Sequence, residues 1–159
     1  MFGWRKKNTG GRTLDIPTPM PGQVVGLEQV PDEAFSSKAM GEGFAVHPVK
    51  GEARAPFSGR IAHVMAKSKH AVVLENADGI QLLIRVGVGT VSLKGEGFTA
   101  HVEAGQKVKK GQLLLEFDIP RIEQAGYPVI TSIIVPSGQE TIKEIETLKE
   151  QEAILRIHY

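Results

Sequence analysis

Two apolar, β-branched runs at residues 70–75 and 80–86 flank the turn sequence Asn76-Ala77-Asp78-Gly79. Runs of this kind on either side of Asn, Asp and Gly predict a β-hairpin. A hairpin constrains the fold strongly, because its loop length decides which side chains face each other and which enter the core. The rest of the chain must cover the apolar face of these two strands.

The register of this hairpin decides which polar side chains meet. If the loop is residues 76–79, Glu75 pairs with Ile80, and His70 then lies directly opposite Arg85 on the same sheet face. A two-residue turn at the end of the loop would pair Val72 with Arg85 instead. We favour the first register, which places an imidazole beside a guanidinium.

The remaining sequence predicts an all-β fold. The chain has 18 glycines and 9 prolines among many short apolar runs, as expected for strands joined by tight turns. The sequence therefore predicts an antiparallel β-sandwich or barrel with short peripheral helices. We predict helices at residues 120–125 and 140–150, the second with an apolar stripe of Ile142, Ile145 and Leu148. Further strands are predicted at residues 23–27, 44–49, 52–55, 59–65, 98–102, 112–118, 129–135 and 153–158.

Composition excludes several classes of protein. At 159 residues the chain fits one domain, and 19 basic against 18 acidic residues give no bulk attraction for nucleic acid. The absence of cysteine excludes disulfides and thiolate chemistry and fits a cytoplasmic protein.

We expect a flexible leader at residues 1–20 and one domain at residues 21–159. In that leader, residues 2–7 would make at most weak contact with a membrane surface.

Alternation along the second hairpin strand separates a core face from an exposed face. Leu82, Ile84 and Val86 should point into the core, whereas Arg85 should point the other way with Gln81 and Leu83. A guanidinium stays protonated and is no nucleophile, but it can bind a phosphate or a carboxylate through two hydrogen bonds. A neighbouring Arg85 should also lower the pKa of His70.

The sequence offers little support for a lipoyl or biotinyl carrier, a zinc peptidase or a metal site. Lys109 and Lys110 do not lie at the tip of a hairpin, where a lipoyl or biotinyl carrier needs its lysine. No H-x-H pair is present for a zinc peptidase of related fold. We expect no metal and no cofactor, because the remaining histidines lack metal-ligand spacing: His47, His63, His101 and His158.

Five segments carry a resemblance that covers most of the chain. They read VPDEAFSSKAMGEGFAVHP, APFSGRI, HAVVLENADGIQLLIRVGVGTVSLKGEGF, GEGFTAHVEAGQKVKKGQLLLEFD and PVITSIIV. From about residue 21 onward the sequence resembles the glucose-type enzyme IIA phosphocarriers of the bacterial phosphoenolpyruvate:sugar phosphotransferase system. The resemblance implies the β-sandwich of that family, with its duplicated hybrid motif.

The resemblance also implies a phosphoryl-transfer site, with two departures. The histidine that accepts the phosphoryl group in the family is replaced by Arg85, and an aspartate usual in the family is replaced by Gly89. His70 matches the second family histidine, which contacts the phosphate. Ser68 matches a small hydroxyl residue near the phosphate. Arg85, His70 and Ser68 are therefore the expected anion-binding residues.

A partner-docking face is implied as well. Partners would be an HPr-like phosphocarrier protein, sugar permease components, or regulated transporters and enzymes, but no nucleic acid. At residues 35–40 the apolar side chains recur at helical spacing, so they alternatively fill the core under a loop. The expected docking residues are Phe35, Ala39, Met40, Val72, Leu83 and Val88.

Two functions remain open. The first is a regulatory or protein-binding member of the family without phosphoryl transfer, because Arg85 cannot be phosphorylated as a histidine is. The second is an active phosphocarrier in sugar uptake, in which His70 is the catalytic residue and receives the phosphoryl group with Arg85 beside it.

Overall fold

Short strands joined by tight turns make up the part of the chain that the computed structural model describes, residues 11–149 and 152–159. Two short helices, α1 (Glu33–Ser36) and α2 (Ile119–Gln124), and 3₁₀ turns at Leu27–Gln29 and Thr90–Leu93 interrupt them. The membrane-contact residues predicted at positions 2–7 lie outside the described residues. The strands are β1 (Thr13–Pro17), β2 (Gly22–Val25), β3 (Gly41–Pro48), β4 (Glu52–Arg54), β5 (Gly59–Val64), β6 (Ala71–Glu75), β7 (Gln81–Arg85), β8 (Phe98–Ala100), β9 (Lys107–Val108), β10 (Leu113–Phe117), β11 (Thr131–Pro136), β12 (Glu144–Thr147) and β13 (Ala153–His158).

The strands form one large and two small sheets. The seven-stranded sheet has the order β9-β5-β6-β7-β11-β3-β2, and the smaller sheets have the orders β4-β10-β8 and β12-β13-β1. All of these pairings are antiparallel. The predicted antiparallel β-sandwich is therefore confirmed.

Alternate residues of the large sheet contribute to two apolar cores. On one face, Leu82 and Ile84 of β7 pack in the main core together with residues of both small sheets, such as Leu115 and Ile157. On the other face, the segment before and within α1 covers a smaller cluster, which we call the second core. Half-buried Leu83 and Val88 pack against it. The second core consists of Leu27, Val30, Phe35, Ala45, Ile130 and Ile134.

The hairpin is shifted by one residue from the register we favoured, and the alternative register is not found either. Glu75 pairs with Gln81, so Arg85 lies opposite Ala71. His70 precedes the strand, and its carbonyl oxygen accepts a hydrogen bond from the Val86 amide at 2.7 Å. His70 and Arg85 are therefore not a directly opposed pair.

The loop explains this shift. The Asn76 side-chain oxygen accepts hydrogen bonds from the amides of Asp78 at 3.1 Å and Ile80 at 2.8 Å. The Ile80 carbonyl oxygen accepts a hydrogen bond from the Asn76 amide at 2.9 Å, so Ile80 lies opposite Asn76 and not Glu75, and its side chain is buried in the main core. The predicted alternation of β7 is nevertheless confirmed, since Leu82 and Ile84 are fully buried and Arg85 is only partly so.

The domain boundary at residue 20 is wrong. Thr13–Pro17 forms β1, which pairs with β13, and Ile16 is fully buried in the main core. Pro17 is the last residue of this edge strand, where a missing amide hydrogen is tolerated. The described chain is thus part of the fold from Thr13 onward.

The helix predicted at residues 140–150 is also wrong, because residues 144–147 form β12 and pair with β13. Ile145 is half-buried between exposed Glu144 and Glu146, which is the two-residue period of a strand. In the sequence alone, an apolar residue at every third position favours a helix. The other predicted helix, at residues 120–125, is confirmed as α2 within one residue. Among residues 11–149 and 152–159, no helix has the length and apolar character needed to cross a membrane.

Ile84→Ala tests the main core. Ile84 is fully buried, opposite Val72 on β6 and Ile133 on β11. The variant should lose about 2–5 kcal/mol of unfolding free energy in urea denaturation, because it leaves a cavity between three central strands. The control Val49→Ala changes a side chain that is 76% exposed and should shift stability by less than about 0.5 kcal/mol. Equal losses in both variants would contradict this assignment of the core.

Candidate functional site

Arg85 is the centre of the site. It ends β7, and its side chain, 14% exposed, lies on the sheet face that carries the second core. One nitrogen, Nη1, donates to Oδ2 of Asp32 at 2.8 Å. The guanidinium carbon lies 3.5 Å from the centroid of the Phe35 ring, a cation–π contact. Arg85 is thus held between a carboxylate and an aromatic ring of the same segment.

The α1 segment presents these two partners. Asp32 is the N-cap of α1, and its Oδ1 accepts a hydrogen bond from the Ala34 amide at 3.1 Å. This leaves Oδ2 for Arg85. Phe35 follows one turn later and is 6% exposed within the second core. A helix of four residues has little stability of its own, so these contacts hold the segment on the sheet.

Polar atoms without partners lie next to this ion pair. Arg85 Nε and Nη2 and the hydroxyl of Ser132 are buried and have no hydrogen-bond partner among the described residues. Ser132 lies directly opposite Arg85 across the β7–β11 pairing, so both side chains project from the same sheet face. The site therefore has hydrogen-bond donors on Arg85 and Ser132 beneath α1 that are not used by the described residues.

His70 forms a second polar contact, with Ser68. Its Nδ1 lies 2.7 Å from the Ser68 hydroxyl, and the two residues are 9% and 4% exposed. The pKa of His70 is lowered from 6.5, first by burial and then by the positive charge of Arg85. The expected direction of the Arg85 effect is confirmed, although burial is the larger cause. The imidazole is therefore in its neutral form at pH 7.

The predicted site residues thus form two groups. Ser68 and His70 are bonded to each other, and Arg85 is bonded to Asp32; no hydrogen bond joins His70 to Arg85 among the described residues. The charge of Arg85 still acts on the imidazole, so the groups are electrostatic neighbours.

This arrangement lies on a fold that is shared with known proteins. The sequence profile of the family described as phosphoenolpyruvate-dependent sugar phosphotransferase system, EIIA 1, matches residues 14–141, which is more than half of the chain. The chain belongs to this family. Its structure is similar to that of glucose permease IIA from Mycoplasma capricolum, with a TM-score of 0.76 and 27% identity over 91% of this chain and 96% of that chain.

In this enzyme IIA family member, the surroundings of residue 89 explain why it is a glycine. Its φ is +76°, in the left-handed region, where it precedes the 3₁₀ turn Thr90–Leu93. A Cβ atom built there would lie 3.2 Å from the Tyr127 ring. An aspartate at this position would thus carry backbone strain and press on Tyr127. This contact could not be predicted from local sequence patterns, because the two residues are distant in the chain.

The residues predicted for a docking face differ in how deeply they are buried. Val72 does not belong to such a face, because it is fully buried in the main core opposite Ile84. Phe35 is buried in the second core, as the core interpretation of its segment predicted. Leu83 and Val88 are half-buried beside it, whereas Ala39 and Met40 are exposed.

Asp32 is the site residue that sequence reasoning missed. A signal was present, since an aspartate before a short apolar helical segment is typical of an N-cap. An N-cap uses one carboxylate oxygen and leaves the other for a cation. Only the fold shows that Arg85, 53 positions later, supplies that cation.

Asp32→Asn tests the ion pair. Asparagine caps helices as well as aspartate does, so the change removes the charge and keeps the cap. We expect a loss of about 1.5–3 kcal/mol of unfolding free energy in urea denaturation, because Arg85 keeps a partly buried charge without a counter-ion. The matched control Asp15→Asn breaks the exposed pair with Arg156 and should cost less than about 1 kcal/mol. A loss no larger than that of the control would show that the Arg85 pair is not stabilising.

The pKa of His70 provides a test by NMR titration of its ring protons. We expect a value below 6.5 in the native chain and a partial rise in Arg85→Met, because burial remains when the charge is removed. Since the folded-state pKa is below the unfolded value, stability should be fully present above about pH 6.5 and decrease as the pH falls through that value. A pKa that is unchanged in Arg85→Met would disprove the electrostatic coupling.

Proposed function

We propose that this enzyme IIA family member is a regulatory, protein-binding component of the sugar phosphotransferase system that does not carry phosphate. The observation that supports this most directly is the contact of Arg85 with Asp32 and Phe35. Arg85 stands where the resemblance places the phosphoacceptor histidine. In place of a nucleophilic imidazole, the site then has a permanent cation that is bound to the chain's own carboxylate.

The chemistry of the guanidinium supports this proposal. Phosphoryl acceptance needs a nitrogen lone pair, and the lone pairs of a protonated guanidinium are delocalised over the group. Arg85 was also a candidate for binding a phosphate or an acidic group of a partner. Its Nη1 is already engaged by Asp32, and Nε and Nη2 are buried. We therefore propose that its main role is intramolecular, holding α1 on the sheet.

A fixed α1 segment suggests how partners would be bound. Ala39 and Met40, next to α1, are exposed, and Leu83 and Val88 beside the second core are half-buried. We propose that these residues contact an HPr-like phosphocarrier or a sugar permease component in the cytoplasm. The face would be equally ready for binding whatever the phosphorylation state of the system, because Arg85 cannot change its charge.

The alternative function, phosphoryl transfer through His70, is supported by one observation. The lowered pKa of His70 keeps the imidazole neutral at pH 7, which is the nucleophilic form. Against it, the residue is only 9% exposed and Nδ1 is in contact with Ser68. A donor phosphohistidine would have to approach a largely covered ring.

Phosphorylation by phosphoenolpyruvate and the two general carrier proteins of the system distinguishes these functions. We expect no acid-labile phosphate on the native chain, while calorimetry with the unphosphorylated HPr-like carrier shows complex formation. Label that appears on the native chain and disappears in His70→Ala would establish the alternative. Absence of both label and binding would contradict both functions.

Arg85→His tests whether position 85 is the missing phosphoacceptor. The variant should gain acid-labile phosphate in the same assay, because an imidazole then lies at the end of β7 on the docking face. The control Arg85→Gln also removes the charge but offers no nucleophile, so it should gain none. If Arg85→His is not labelled, the comparison with the family does not locate the acceptor at this residue, or the docking face has diverged.

A further inference from the structure

A groove with a volume of about 890 Å³ lies beside Ser68. Its walls are the loop after β5, residues 65–69, and the 3₁₀ turn Thr90–Leu93 with the residue that follows it. Because Ser68 both lines the groove and contacts His70, the groove adjoins the site described above. None of the residues that line it belongs to α1 or to the second core.

The groove carries an unbalanced positive charge. Lys67, Lys69 and Lys94 line it, and no aspartate or glutamate does. In the described part of the chain, none of these three lysines is in an ion pair. The whole sequence has a formal net charge of only +1. The three positive charges are therefore a local feature and not a consequence of a basic composition.

The backbone holds the lysines in place on both walls. Lys69 and Lys94 have φ values of +55° and +54°, which are uncommon for a residue with a side chain. The Lys69 amide donates to the Met65 carbonyl oxygen at 2.9 Å. A Cβ atom at Gly95 would lie 2.5 Å from the carbonyl oxygen of Lys67, so the two walls pack closely. Only a glycine at position 95 permits this approach.

Apolar surface accompanies these charges. Val91 is 51% exposed on one wall, and Val64 and Met65 are half-buried on the other. A free phosphate ion would use the ammonium groups but none of this apolar surface, and it would fill little of the volume. A peptide with carboxylates and apolar side chains fits both features. The concave shape also suits a chain segment better than the surface of a bilayer.

We propose that this groove binds an acidic segment of a partner protein. Carboxylates of the segment would pair with Lys67, Lys69 and Lys94, and an apolar side chain would pack on Val91. Because the groove adjoins Ser68 and His70, its occupant would lie beside the Arg85 site without using it. The proposal holds whether or not the chain carries phosphate.

Fluorescence anisotropy with a labelled peptide of glutamates interspersed with leucines tests the proposal. We expect binding to the full-length chain that weakens at high salt, and no binding of the same peptide with glutamines in place of glutamates. The triple variant Lys67→Gln, Lys69→Gln and Lys94→Gln should weaken binding by about tenfold or more, as the loss of several ion pairs implies.

The matched control triple is Lys107→Gln, Lys109→Gln and Lys110→Gln, which removes the same charge near the opposite end of β5, where β9 pairs with it. It should weaken binding by less than about twofold. No binding of the glutamate peptide, equal binding of the glutamine peptide, or equal weakening by both triples would overturn the proposal. It would also be overturned if sedimentation with phosphatidylglycerol vesicles, but not peptide binding, depended on the groove lysines.

A single substitution provides a second test that does not depend on the folding of the triple variant. Lys67 is exposed, so Lys67→Glu should leave the urea midpoint unchanged and still weaken peptide binding more than Lys67→Gln does. Equal affinity in the native chain and in Lys67→Glu would likewise overturn the proposal.

Discussion

The contact of Arg85 with Asp32 and Phe35 connects the two parts of the structure on which function depends. Arg85 belongs to the central sheet, whereas its partners belong to a helix of only four residues. A partly buried guanidinium is costly to desolvate, and its carboxylate partner and the aromatic ring offset that cost. Without the pair, α1 would rely on the packing of Phe35 and the Asp32 cap alone.

In the proposed function, this contact also determines what the site can signal. A phosphohistidine adds about two negative charges when it forms and loses them on transfer. A guanidinium has a constant charge, and here a carboxylate of the same chain already balances it. Gly89 likewise fits its surroundings, because its backbone is left-handed and a Cβ atom there would lie 3.2 Å from the Tyr127 ring. At both positions, where the resemblance implies a histidine and an aspartate, the residue present is thus explained by its local contacts.

Local patterns predicted the strands well but not the contacts between distant segments. Alternation identified Leu82 and Ile84 as core residues, since strand periodicity is a property of neighbouring residues. The hairpin register was not predicted, because Ile80 bonds to both the backbone and the side chain of Asn76, which the apolar pattern of the two runs does not show. The stripe at Ile142, Ile145 and Leu148 has the spacing of a helix, and only the pairing with β13 shows that residues 144–147 form a strand.

The surroundings of the candidate site depend on such distant contacts as well. The predicted pairing of His70 with Arg85 across the hairpin is wrong, although burial and the charge of Arg85 both lower the pKa of His70. The partner of Arg85 was not predicted, because Asp32 comes from a segment 53 positions earlier, which precedes a helix and belongs to no strand of the sheet. Side-chain pairing at that distance depends on the whole topology.

A double-mutant cycle between Asp32 and Arg85 is the most direct test of the central contact. Unfolding free energies would be measured for the native chain, Asp32→Asn, Arg85→Met and the double variant. We expect a favourable coupling energy of about 1–3 kcal/mol, as is typical of a partly buried charged pair. A coupling energy near zero would show that the ion pair does not hold α1 on the sheet.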